Sequence, residues 1–120
     1  MTRDFEYFRV EQRGDVTIVT PAVSDLFDLA ISCELRKELI RFVQDEKPKQ
    51  LVVDFHNIQR FPENWITTLV SLKRRLVDTG GEVKLCSLSP VQREIFEILH
   101  LAGTAFQILD TVEEAVRSFS

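Results

Sequence analysis

Residues 51–88 constrain the fold more than any other stretch of this chain. Leu51, Val52, Val53 and Phe55 form a short apolar run interrupted only by Asp54, the pattern of a strand covered on both faces. A polar turn follows. From about Pro62 to Asp78 the apolar residues then recur at helical spacing, with Trp65, Leu69, Leu72 and Leu76 able to share one stripe. Thr79, Gly80 and Gly81 stop that helix, because glycine supplies the positive φ that a helix C-terminus often needs. Between Glu82 and Leu88, Val83 and Leu85 alternate with charged residues, and a second strand is expected. Strand, helix and strand in this order make a right-handed crossover, so the two strands should run parallel in one sheet.

The flanking segments extend this unit in both directions. Phe5 to Gln12 and Val16 to Val23 are β-rich runs joined by Arg13, Gly14 and Asp15, a hairpin signal, so the chain should open with antiparallel strands. Pro21 implies an edge or a strand end at that point. The connector from Ser24 to Ser32 holds too many apolar residues for a solvated loop and is expected to cover one end of the sheet. Ser32 is read as the N-cap of an amphipathic helix that buries Leu35, Leu39, Phe42 and Val43 and stops before Pro48. Ser89 to Gln92 is a capping-box pattern, opening a helix expected to bury Val91, Ile95, Ile98 and Leu99 and to exit at Gly103. Phe106 to Leu109 reads as a short strand. Thr111 with Glu114 then opens a last helix with Val112, Ala115, Val116 and Phe119 on one face.

The expected order is therefore β-β-α-β-α-β-α-β-α. This is an α/β fold, a mixed sheet with an antiparallel N-terminal strand and helices packed on it. A chain of 120 residues has room for one core, so residues 1–120 are expected to form a single domain.

Charge and hydropathy exclude several classes of function. The balance of 15 basic against 19 acidic residues, a net charge of -4 with no long basic run, gives little pull toward phosphate backbones, and no nucleic-acid partner is expected. No run approaches the roughly 18 apolar residues of a membrane span, and the N-terminal residues lack a signal-peptide core, so a cytoplasmic protein without direct membrane insertion is expected. Cys33 and Cys86 stand in no metal-like spacing and read as buried thiols.

Catalytic patterns are equally scarce. His56 and His100 are far apart and in no zinc-ligand spacing, and His56 reads first as an ordinary turn histidine. Gly80 and Gly81 follow a helix and precede a strand, the reverse of a phosphate-cradling loop. No serine sits in a nucleophile elbow. Neither an enzyme, a cofactor nor a metal site is expected. What remains is a polar cluster at one end of the sheet, comprising His56, Asn57, Gln59, Arg60, Glu63 and Asn64. Trp65 is of the residue type enriched in binding hot spots; it either keeps an exposed edge there or joins the buried stripe of its helix.

The sequence LVVDFHNIQRFPENWITTLV, continuing through the TGG stop, the strand EVKLCSL, the helix SPVQREIFEIL and the helix DTVEEAV, resembles a STAS domain, the fold of bacterial anti-sigma factor antagonists. DLAISCELRKEL is similar to the first helix region of that family. The resemblance implies a signalling role in transcription regulation through protein binding, with an anti-sigma factor kinase or phosphatase as partner. In the family the helix after the turn begins with an Asp-Ser-Ser-Gly-type motif whose serine is phosphorylated by the partner kinase. Here Pro62, Glu63, Asn64 and Trp65 occupy those four positions. Glu63 is thus the phosphosite equivalent and cannot be phosphorylated. Its fixed single charge serves either as an ordinary first-turn residue favoured by the helix dipole or as a mimic of the phosphorylated state. The expectation is a non-catalytic interaction module that binds its partner through His56, Asn57, Arg60, Glu63, Asn64 and Trp65, with a homodimer admitted. The alternative is a structural STAS subunit, either in an oligomeric scaffold or in a membrane transport complex bound from the cytoplasmic side.

Overall fold

A computed structural model describes residues 2–103 and 105–119. Strands β1 (Thr2–Asp4), β2 (Phe8–Arg13), β3 (Val16–Pro21), β4 (Gln50–Asp54), β5 (Glu82–Cys86) and β6 (Gln107–Leu109) form one sheet in sequence order. The hairpins β1–β2 and β2–β3 are antiparallel, and the pairs β3–β4, β4–β5 and β5–β6 are parallel. Four helices accompany it: α1 (Leu29–Glu46), α2 (Asn64–Asp78), α3 (Pro90–Ile98) and α4 (Val112–Arg117). The mixed α/β architecture is the one read from the sequence, and the crossover β4–α2–β5 lies at its centre.

The pleat divides the core in two. Val19 of β3, Leu51 and Val53 of β4, and Val83 and Leu85 of β5 face the large cluster shared with Leu39 of α1, Leu69 and Leu72 of α2, and Phe96 of α3. Val16, Ile18, Val52 and Cys86 point the other way, onto Ala115 of α4. Because helices lie on both faces, Leu51 to Phe55 is buried without a break. Each such side chain taken from water contributes roughly 1.5–3 kcal/mol.

Four local expectations are corrected. The first β-rich run is split: residues 5–7 form a turn, with the Phe5 N–H donating to the Phe8 carbonyl at 2.8 Å, and this releases β1 as an additional edge strand. Helix α1 starts four residues earlier than Ser32 implied. The Asp28 carboxylate accepts from the Ile31 N–H at 3.2 Å and is the actual cap. Cys33 is exposed, because it lies on the side of α1 opposite Leu35, Leu39 and Phe42. Finally, α3 is rotated from the expected face. It buries Gln92 and Phe96 and leaves Val91, Ile98 and Leu99 exposed, since Phe96 fills the space between Phe61 and Phe106 with ring centroids 6.3 and 5.9 Å away.

Candidate functional site

The turn between β4 and α2 is held from below by Asp54, the last residue of β4. Its side chain is only 6 % exposed, and its carboxylate is used twice by His56. Oδ1 accepts from the His56 backbone N–H at 3.0 Å, and Oδ2 lies 2.8 Å from Nδ1 of the ring. A carboxylate aspartate accepts only, so Nδ1 carries the proton that this contact needs. Beside it, the Cys86 thiol is pushed up to about 12, first by burial and then by the negative charge of Asp54.

The rest of the turn is zipped to the connector that precedes α1. The N–H groups of Gln59 and Arg60 both donate to the Ser24 carbonyl, at 2.8 and 3.1 Å, and the Leu26 N–H donates back to the Arg60 carbonyl at 2.9 Å. Asn57 donates its side-chain N–H to the Pro21 carbonyl at 3.1 Å. Arg60 lies over the Phe27 ring, 4.6 Å from its centroid, and 3.8 Å from the Asp25 carboxylate. From inside, Gln92 donates to the Ile58 carbonyl at 2.9 Å. The turn is thereby tied to three elements, and a side chain on it keeps a set position.

Of the residues expected at the site, His56, Asn57, Gln59, Arg60, Glu63 and Asn64 are all exposed and share this one turn. The first helical turn begins at Pro62, whose carbonyl accepts from the Trp65 N–H at 3.0 Å. Trp65 itself is 3 % exposed and sits with Leu69, Leu72 and Leu76 on the buried stripe of α2. The exposed-edge alternative for Trp65 gives way: its indole is core, not docking surface. Thr68 is buried, and Thr67 is exposed one turn beyond Glu63. His100 lies just past α3 with φ 57°, away from this turn in sequence.

Sequence reasoning missed Phe27, which is 49 % exposed on the connector under Arg60. The available signal was an aromatic residue, Phe27, set between the acids Asp25 and Asp28.

Below His56, on the sheet face opposite α1, α2 and α3, lies a cleft of about 610 Å³. Arg9, Thr20, Asp54, His56, Ser87 and Thr111 are among its lining residues, and the N-terminus of α4 closes one side. Arg9 and Arg13 in this cleft are paired with Asp4 and Glu11 at 2.9 and 2.6 Å. Among the described residues no group of three metal-ligating side chains is assembled, and no helix is long and apolar enough to cross a membrane.

Residues 7–115 match the family model of the STAS domain. Solved structures share the fold. A protein from Planctomyces limnophilus described as an anti-sigma-factor antagonist (STAS) domain protein is 22 % identical, with 92 % of this chain and 96 % of that one covered and a TM-score of 0.78. Bacillus SpoIIAA, an anti-sigma factor antagonist solved in its unphosphorylated form, is 18 % identical over 93 % of this chain and 95 % of its own, at a TM-score of 0.74. A Ser-to-Glu variant of RsbS from Moorella thermoacetica is 15 % identical over 91 % of both chains, at a TM-score of 0.71. Among curated proteins none matches this chain.

Proposed function

The chain belongs to the STAS domain family, and on that premise we propose that it is a non-catalytic module that binds a partner protein in the manner of bacterial anti-sigma factor antagonists. The observation that carries this is the zipped surface formed by residues 24–29 and 56–64. Phe27 stands half exposed there, against Arg60 and beside the polar side chains of the turn. An aromatic ring left half exposed among polar side chains, on a pinned backbone, makes a pre-organised docking surface. His56, Asn57, Arg60, Glu63 and Asn64 belong to it; Trp65 supports it from inside.

On this reading Glu63, exposed at the N-cap of α2, takes the phosphoacceptor position. Its carboxylate carries one fixed charge where a phosphoserine carries about -1.5 to -2, so this position is not switched. The partner class is an anti-sigma factor kinase or phosphatase, and the role is regulation of transcription in the bacterial cytoplasm.

Titration calorimetry against candidate kinases and phosphatases of this class tests the proposal. Phe27→Ala should weaken binding about tenfold or more, the loss typical of a hot-spot aromatic. Unchanged affinity would remove the connector from the surface. Incubation with the kinase and ATP should leave the α2 hydroxyls Thr67 and Thr68 of the wild type unmodified and place phosphate on Glu63→Ser. Stoichiometric phosphate at Thr67 of the wild type would overturn the unswitched assignment.

A further inference from the structure

The helix start has no hydroxyl at the usual place, but the same end of the sheet presents another nucleophile. His56 is anchored by one ring nitrogen only: Nδ1 faces the buried Asp54 carboxylate at 2.8 Å, and the side chain is 57 % exposed. The backbone bond from the His56 N–H to Oδ1 at 3.0 Å fixes the carboxylate as well, so the ring and its partner are held together. This sets the tautomer. With the proton on Nδ1, the lone pair is on Nε2, the far nitrogen, on a ring that lines an open cleft. A nucleophile oriented by a carboxylate through its other side is the arrangement that makes histidine competent for covalent group transfer.

We propose that His56 is a phosphoryl-accepting residue, modified on Nε2 by an activated phosphoryl compound. The Nε2 lone pair attacks phosphorus. The bond from phosphorus to the donor's leaving group breaks, and its electron pair departs with that group. The Nδ1 proton stays on the ring, so the phosphorylated imidazole is cationic and the Asp54 carboxylate meets that charge at hydrogen-bond distance. Thr20, Ser87 and Thr111 bring hydroxyls to the same cleft, where they can donate to the new phosphoryl oxygens. The site lies on the proposed docking turn and replaces the missing serine by a different residue. Its chemistry stands whichever partner docks there.

The test uses phosphoramidate, a small donor whose leaving group is ammonia, so it needs no partner protein and separates this proposal from the docking proposal. The full chain is treated and followed by 31P and 15N NMR, with His56→Gln identifying the signal. The expected product is an acid-labile phosphate on Nε2 of His56, formed about fivefold more slowly in Asp54→Asn because the ring then loses its anionic anchor. Modification on Nδ1, absence of modification at His56, or an equal rate in Asp54→Asn overturns the proposal. Should Asp54→Asn fail to fold, the untreated wild type decides. A neutral His56 ring with Nδ1 protonated and Nε2 bare supports the site, and the opposite tautomer overturns it.

Discussion

One side chain, Gln92, joins the start of α3 to the carbonyl of Ile58 in the candidate docking turn. Its amide N–H donates to that carbonyl at 2.9 Å while its Oε1 accepts from the Ser89 N–H at 2.9 Å, closing the capping box with Ser89. It is 5 % exposed, so both bonds are made out of reach of water. Gln92→Ala leaves the Ile58 carbonyl unpaired and breaks the box. The expected loss is about 2–3 kcal/mol of stability, measured by urea denaturation. Hydrogen exchange at Ile58 and Gln59 should rise as well, because the turn loses its inner tie.

Trp65 and Phe27 separate stability from binding. Truncating the buried indole should cost about 3–5 kcal/mol in denaturation, since its cavity opens against Leu69 and its neighbours on α2. Truncating the exposed Phe27 should change stability by no more than about 0.5–1 kcal/mol, much of it the stacking of Arg60 on the ring. A stable, partner-binding Trp65→Ala would contradict the core assignment.

The two cysteines should differ in reactivity and in their effect on alkaline stability. A thiol reagent at neutral pH should modify exposed Cys33 in the native protein and Cys86 only after unfolding. The folded Cys86 thiol is pushed up to about 12 from 9.0, so between those pH values the unfolded chain releases a proton that the folded chain keeps. Stability therefore falls as pH rises through that window and is independent of this group below it. Cys86→Ala should show a shallower decline in chemical denaturation between pH 9 and 11.

Lys84 is the buried cation of the second core. Its ammonium donates to the Ser118 carbonyl at 3.0 Å and Oγ at 2.8 Å, and lies 4.1 Å from the centroid of Phe119, at the C-terminal end of α4. Lys84→Met should cost about 1–3 kcal/mol and concentrate its effect on α4, whose amides should exchange faster than those of α2. Uniform exchange across the chain would show that α4 is held by Ala115 and its neighbours alone.

The legible parts of this fold are those decided locally. The apolar run of β4, the four-three-four stripe of α2, the capping box at Ser89, the N-cap at Thr111 and the hairpin at Gly14 depend on residues near one another in sequence and form locally, though Thr111 caps α4 without the reciprocal Glu114 bond of a box. The TGG stop was legible only in part. Gly80 takes φ 79°, but Gly81 is needed for room: a Cβ there would meet the Pro48 carbonyl oxygen at 2.6 Å, from a loop more than thirty residues away. The candidate turn followed the same division. Its polar residues were readable, while Phe27 joined it only because the connector is hydrogen-bonded alongside.

The sequence by itself determined the element order around the β4–α2–β5 crossover, the sites of the caps and the absence of a serine at the start of α2. Those follow from backbone preferences and from side-chain periods of two and 3.6 residues. Tertiary structure alone decided which face α3 shows and which side of β5 is covered. Val91, Ile98 and Leu99 have the spacing of a buried stripe yet remain in water, because Phe96 already fills the volume beneath α3. Lys84 has the spacing of an exposed residue yet is covered, because α4 crosses to the second face of the sheet. Periodicity says that a helix or strand has two sides; only the space left by the other elements says which of them is filled.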